Sequence, residues 1–138
     1  MLSSSPERFI RSKNNKLFTR PIKGTRPRGK NKVEDLKLKV DCIKNIFPGG
    51  SITGAPKIRA MEIIDELEPT QRNIYTGSIG YLDFNGNMDL NIVIRTMLTK
   101  NKKVYFQVGG GIVWDSNAAA EYQESLDKGK ALVEALKR

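Results

Sequence analysis

The chain has 138 residues, enough for one domain, and 38% apolar and 28% charged residues are ordinary values for a globular protein. It has no histidine, which excludes the commonest general base, and its single cysteine, Cys42, excludes an internal disulfide. No apolar run is long enough to span a membrane and residues 1–6 do not resemble a secretion signal, so we expect a cytoplasmic protein. The net charge of +9 lies within residues 1–46, which suits an anionic partner or, alternatively, a solvated basic loop.

In chain order, the patterns predict an α+β fold in which an antiparallel sheet packs with helices. The tightest turn signal is Asn85-Gly86, and Ser116 or Asn117 can cap the last helix. The predicted strands cover residues 8–12, 16–20, 76–84, 88–98 and 104–113. The predicted helices cover residues 33–46, a stretch starting at 53–56 and closed by Pro69, and a final stretch reaching about Leu136.

Two glycine-rich stretches are candidate ligand sites. Residues 47–57 (FPGGSITGAPK) enter a predicted helix whose free N–H groups can bind an anion. The order of a phosphate-binding loop is absent, so spacing alone favours a flexible helix entry. Gly109, Gly110 and Gly111 make sense where a ligand carboxylate meets the backbone, and a bulge or a close sheet–helix contact explains them equally well.

Three sets of charged groups are candidates for chemistry. Arg95 falls in an apolar predicted strand, where its guanidinium suits a substrate carboxylate or a structural ion pair. Glu121 and Glu124 share a helix face and suit Mg²⁺, although a solvated face with a Glu124–Lys128 ion pair accounts for them too. Lys23 is a nucleophile only if its pKa falls toward neutrality, and composition alone makes it one more lysine of a basic stretch.

The order and the exact residues of these motifs, taken together, indicate a family more specifically than any single motif does. The motifs are SPERF at 5–9, RPIKGT at 20–25, the stretch 47–61, GSIGY at 77–81, IRT at 94–96, GGGIV at 109–113 and EYQE at 121–124. With them the chain resembles, over essentially its whole length, the chorismate-utilising enzymes. That family includes anthranilate synthase component I, aminodeoxychorismate synthase component I, isochorismate synthase and salicylate synthase.

Within that family, Lys23 resembles the residue of the aminodeoxychorismate synthases, since anthranilate synthases usually carry alanine there. The resemblance implies amination of chorismate to 4-amino-4-deoxychorismate, on the way to 4-aminobenzoate and folate. Ammonia would come from a glutamine amidotransferase partner. The resemblance also implies that Lys23 is the catalytic group, attacking the ring and expelling the hydroxyl before ammonia displaces the lysine.

The resemblance further implies the ligand contacts. Glu124 is implied as a ligand of the cofactor Mg²⁺, with Glu121 beside it. The implied chorismate-binding residues are Gly24, Thr25, Tyr75, Arg95 and the backbone of Gly109, Gly110 and Gly111.

One departure from the family concerns the interval between the lysine loop and residues 47–50. Family members have a long stretch there, containing histidines and another glutamate ligand of Mg²⁺, whereas this chain has only residues 26–46. We therefore expect residues 1–138 to be a partial chorismate-binding catalytic domain with an internal deletion near residues 36–41. Three explanations fit this pattern. The chain is a fragment of a longer protein, a longer protein from which internal residues have been left out, or a shortened gene product without activity.

Two other functions fit parts of the sequence. An enzyme like anthranilate synthase component I is the alternative within the family. A non-catalytic basic module could instead bind nucleic acid through residues 8–44. Because that region lacks interleaved aromatic residues and any nucleic-acid motif, nucleic acid is not the expected partner.

Overall fold

The computed structural model describes residues 1–5, 7–14, 16–18 and 31–137, and these form an α+β fold, as predicted. Among the described residues, no helix combines the length and apolar character needed to cross a membrane. The strands are β1 (Leu2–Ser3), β2 (Arg8–Lys13), β3 (Lys16–Phe18), β4 (Ser78–Leu82), β5 (Met88–Ile92), β6 (Thr96–Lys100) and β7 (Lys103–Tyr105). The helices are α1 (Lys32–Ile46), α2 (Gly50–Thr53), α3 (Lys57–Leu67) and α4 (Ala118–Ala135).

The larger sheet has the strand order β3-β2-β5-β4 and is antiparallel throughout. Its centre pairs β2 with β5, two strands that are far apart in the sequence. Every second residue of β5 is buried, as expected for a strand with one face against a core. The core cluster is Phe9, Ile10, Met88, Leu90 and Ile92, with Ile43, Ile46, Ile52 and Ile94 packed against it.

Helix α1 forms where its apolar spacing predicts it. Asn31 caps the N-terminus by accepting a hydrogen bond from the Glu34 amide, and the Phe47 amide closes the other end on the Ile43 carbonyl. The helix continues unbroken through residues 36–41, where the internal deletion is expected, and that deletion stays a prediction. The buried Lys39 donates to the carbonyl of Gly86 at 2.7 Å and so ties α1 to the turn between β4 and β5.

The single strand predicted over residues 88–98 is wrong. Strand β5 ends at Ile92, the Ile94 amide bonds back to the Ile92 carbonyl, and the chain resumes as β6 in the smaller sheet β1-β6-β7. Arg95 lies at this corner with φ of +47° and is exposed, so it is not a guanidinium within an apolar strand. The apolar pattern continues through the corner because both sheets contribute to the interior.

Two further boundaries differ from the prediction. The strand predicted over residues 104–113 reduces to β7, and the glycine-rich stretch after it forms no strand. The helix expected to begin at residues 53–56 is α3, which begins at Lys57 with Pro56 as the N-cap. The short helix α2 before it was not predicted, and Gly54, with φ of +105°, separates the two helices.

Candidate active site

The candidate site is built on the first half of α4. Asn117 caps this helix by accepting from the amides of Ala119 and Ala120, as its sequence position predicts. Ser116, just before the cap, accepts from the Val113 amide at 3.0 Å and donates to the Glu121 carboxylate at 2.6 Å. The end of the glycine-rich stretch is therefore fixed to the first turn of α4.

Glu121 has one satisfied and one unsatisfied carboxylate oxygen. Its Oε1 accepts from Ser116, whereas its Oε2 is buried without a hydrogen-bond partner among the described residues. A Cβ at Gly110 would lie 2.8 Å from this Oε2, so a larger residue there would require the Glu121 carboxylate to move. A buried carboxylate oxygen without a partner costs free energy unless a ligand completes it.

Lys128 joins the second glutamate to the glycine backbone. Its ammonium contacts the Glu124 carboxylate at 2.6 Å and donates to the Gly109 carbonyl at 3.1 Å. The sequence suggested only an ion pair on a solvated face, so the contact with Gly109 was missed. The spacing of four residues between Glu124 and Lys128 indicates their ion pair and gives no signal of the contact with Gly109.

Tyr75 lies on the other side of the same glycine. A Cβ at Gly109 would be 3.2 Å from the Tyr75 hydroxyl, which places the phenol against the backbone. Burial raises the pKa of the Tyr75 phenol above its ordinary value, and the positive charges of Arg72 and Lys128 partly oppose this rise. The half-buried phenol is thus held neutral and able to donate a hydrogen bond.

Arg72 supports Tyr75 and was not anticipated from the sequence. Its guanidinium lies 5.9 Å from the centre of the Tyr75 ring and contacts the Glu68 carboxylate at 2.6 Å. Hydrogen bonding to Glu68 raises the pKa of Arg72. The same guanidinium donates to the Ile52 carbonyl at 3.3 Å, so it also connects α2 to the segment that carries Tyr75.

Arg95 and Glu124 line the same open cavity, of about 730 Å³, between α4 and the strands β1 and β6. Its carbonyl accepts from the Ser4 amide at 3.3 Å, and its side chain lines the cavity together with Glu124, Asp127 and Lys128. Among the described residues, Arg95 forms no ion pair. Because Lys128 is paired with Glu124, Arg95 is the lining cation best placed to receive an anion.

Most of the predicted site therefore converges, with Lys128 at its centre. Lys128 contacts Gly109 and Glu124, Tyr75 lies against Gly109 and Glu121 lies against Gly110. Arg95 lines the same cavity as Lys128. A Cβ at Gly111 would meet no atom within 4 Å, so the space beside this glycine is open. The remaining predicted residues, Lys23, Gly24 and Thr25, lie outside the described residues.

The sequence profile of the family described as chorismate binding enzyme matches residues 1–41 and 37–134. The chain belongs to this family of chorismate-binding enzymes. The two matched stretches overlap at residues 37–41, inside α1. The family assignment thus agrees with the resemblance that the motifs indicated.

Individual relatives carry the names of two different reactions. The chain is 39% identical to aminodeoxychorismate synthase component 1 of Escherichia coli, over 100% of this chain and 45% of the relative. It is 38% identical to an anthranilate synthase component I-like protein of Synechocystis, over 99% of this chain and 41% of the relative. A third relative, anthranilate synthase component 1 1 of Haloarcula marismortui, is 57% identical over 70% of this chain and 20% of its own length.

The chain spans less than half the length of these curated relatives. The alignment with the Escherichia coli protein extends over 202 positions although this chain has 138 residues. That relative therefore has internal polypeptide without a counterpart here.

Proposed function

We propose that this chain is the chorismate-binding part of an enzyme of the aminodeoxychorismate synthase type. In the proposed reaction, chorismate is aminated to 4-amino-4-deoxychorismate with ammonia from a glutamine amidotransferase subunit, in the route to 4-aminobenzoate and folate. The observation that carries the proposal is the convergence of Tyr75, Gly109, Gly110, Glu121 and Glu124 around one side of α4.

The charges of the site suit a dicarboxylate such as chorismate. Arg95 offers an unpaired guanidinium in the cavity, and a guanidinium can bind a carboxylate through two parallel hydrogen bonds. Tyr75 offers a neutral hydroxyl, and Gly111 has open space beside its backbone. We assign Arg95 to one substrate carboxylate and the glycine backbone to the other, where each would neutralise charge.

Lys23 is the proposed nucleophile. In its unprotonated form, its amine attacks the ring of chorismate, a carbon–nitrogen bond forms and the hydroxyl leaves with the electrons of its carbon–oxygen bond. Ammonia then displaces the lysine amine and restores it for another turnover. The sequence around Lys23, with Gly24 and Thr25 as substrate contacts, supports this step.

Mg²⁺ is the proposed cofactor, and Glu121 and Glu124 are the residues that would hold it. The buried Oε2 of Glu121, which has no partner among the described residues, fits a cation. Carboxylate oxygens, which both glutamates supply, are ligands that Mg²⁺ prefers. Bound Mg²⁺ would neutralise a carboxylate of the substrate. Among the described residues no group of three or more acidic, histidine or cysteine side chains forms a metal site, so we expect the chain alone to bind Mg²⁺ weakly. Calorimetry without chorismate tests this, and tight binding would contradict it.

The reaction is tested in a chimera that receives the unmatched internal segment of the Escherichia coli relative within residues 37–41. With ammonia and Mg²⁺, the chimera should form 4-amino-4-deoxychorismate, whereas the 138-residue chain should be inactive. Lys23→Ala should abolish product formation in the chimera, and Lys16→Ala, at an exposed lysine of the same basic region, should not. Full activity of Lys23→Ala would eliminate Lys23 as the nucleophile.

An anthranilate synthase activity is the second candidate, because relatives with that name match at nearly the same identity. The two reactions differ in their products, since only anthranilate formation releases pyruvate. Pyruvate release by the chimera would favour this candidate over the proposed amination.

A further inference from the structure

The outer edge of β4 is an uncovered strand edge. Strand β4 ends the order β3-β2-β5-β4, and among the described residues no strand pairs with its other side. Its sequence, SIGYL, contains no charged residue and no proline. Proteins usually protect an exposed edge with such residues because the free N–H and C=O groups recruit another chain.

An apolar surface continues along this edge into the following turn. Tyr81 is 57% exposed and Leu82 is 50% exposed, and Phe84 in the turn is fully exposed. Tyr81 and Leu82 are consecutive in the strand, so they expose apolar surface on both faces of the sheet beside this edge. Phe84 adds apolar surface in the turn. This set, which we call the β4 edge, is therefore a candidate for coverage by another polypeptide.

The comparisons indicate which polypeptide is missing beside the β4 edge. The two stretches that match the family overlap at residues 37–41, and the alignment with the Escherichia coli relative is longer than this chain. The internal segment of the relatives would thus leave the chain within α1. Lys39 lies in that overlap and donates to the Gly86 carbonyl at 2.7 Å, in the same turn that carries Phe84. The point of departure is therefore at the turn that joins β4 to β5, where the β4 edge ends.

We propose that the β4 edge binds a separate polypeptide equivalent to the internal segment of the relatives, which adds to the sheet as a strand beside β4. Main-chain hydrogen bonds to the free edge would supply affinity, and Tyr81, Leu82 and Phe84 would supply apolar contacts. The proposal depends on family membership and strand geometry, and it is independent of which reaction the family member catalyses.

A second copy of this chain is a poorer occupant. Two five-residue strands pairing edge to edge bury little surface, whereas specific, stable interfaces bury on the order of 1,200–2,000 Å². A segment long enough to make up the excess of the 202 aligned positions could extend well beyond the strand and cover more apolar surface.

The test uses the 138-residue chain and a synthetic peptide with the sequence of the unmatched internal segment of the Escherichia coli relative. We expect saturable binding in calorimetry and slower hydrogen exchange of the amides of Ser78–Leu82, neither of which a scrambled peptide should produce. Phe84→Lys should weaken binding by about tenfold or more, as expected for an apolar anchor. Ile58→Lys, an equally drastic change at a 75% exposed position on α3, should leave binding unchanged.

Two results would overturn the proposal. One is the absence of both heat and protection on adding the peptide. The other is slow hydrogen exchange of Ser78–Leu82 without any peptide, increasing with protein concentration in parallel with dimer formation measured by sedimentation. That result would assign the β4 edge to a second copy of the chain. Equal binding by Phe84→Lys and the unchanged chain would remove the apolar anchor from the proposal.

Discussion

Lys128 holds Glu124 at 2.6 Å and, with the same ammonium, the Gly109 carbonyl at 3.1 Å. Replacing it in Lys128→Ala should release both groups and weaken chorismate binding by about tenfold, which corresponds to roughly 1.4 kcal/mol. Because both charged side chains are more than a third exposed, the free energy of unfolding should change by less than about 1 kcal/mol. Calorimetric titration with chorismate and urea unfolding separate these two effects.

The control for that variant is Lys130→Ala, at an exposed position of the same helix. It removes the same charge without touching Glu124 or Gly109, so chorismate binding should be unchanged. Equal losses in both variants would show that general charge, and not the contact with Gly109, determines the affinity.

Neighbouring glycines give a matched pair of substitutions. Gly110→Ala should push the Glu121 carboxylate away, because its Cβ would lie 2.8 Å from Oε2, while Gly111→Ala meets nothing within 4 Å. We expect Gly110→Ala to reduce chorismate affinity in the presence of Mg²⁺ several-fold more than Gly111→Ala does, measured by calorimetry. Since the displaced atom ends a flexible side chain, both variants should unfold within about 1 kcal/mol of the original. An effect confined to Gly111→Ala would contradict the assigned role of Glu121.

Arg95 should contribute to binding and little to folding. Its side chain is exposed and forms no ion pair among the described residues, so Arg95→Gln should change the free energy of unfolding by at most about 0.5 kcal/mol. Losing a charge-assisted hydrogen bond to a carboxylate should weaken chorismate binding by about 10- to 100-fold. Lys103→Gln, on the exposed strand β7, provides the comparison, and identical affinities for the two variants would exclude Arg95 from the site.

The phenol of Tyr75 should ionise at a higher pH than an ordinary tyrosine. Burial raises the pKa of its phenol, so the folded state favours the neutral form. The resulting stabilisation is complete below the unfolded-state pKa of about 10 and is lost as the pH rises through the higher folded-state value. Absorbance titration of phenolate should show a late step that Tyr75→Phe removes and that Tyr122→Phe, at an exposed position, retains. Loss of the late step in Tyr122→Phe alone would contradict the assignment.

Local signals in the sequence predicted much of the fold. The helix predicted over residues 33–46, the Asn85-Gly86 turn and the Asn117 cap depend on near neighbours, and each appears at or within one residue of its predicted place. The corner at Arg95 could not be predicted in this way. Apolar residues alternate through it without a glycine or proline, and the direction changes because β6 pairs with β1, a strand more than ninety residues away in the sequence.

In the candidate site, too, local signals were evident in the sequence, whereas contacts made by tertiary packing were not. The glycines and the glutamates were candidates from the sequence, because residue types suited to a ligand stand out there, whereas Tyr75 was implied only by the resemblance to the family. The supporting contacts of Lys128 and Arg72 were not evident, because a lysine facing a carbonyl and an arginine stacked on a ring are properties of tertiary packing. Their signals in the sequence were ordinary helical ion-pair spacings.

The pairing of β2 with β5 at the centre of the larger sheet has a consequence for chain length. Strand β2 comes before α1 in the sequence and β5 comes after it. The polypeptide between the two strands is therefore a loop that folding must close. Closure entropy rises only logarithmically, and doubling such a loop costs about 0.6 kcal/mol. The central pair is therefore almost insensitive to polypeptide added or removed within α1, and changes of length there act on the ligand site and the β4 edge far more than on the formation of the sheet.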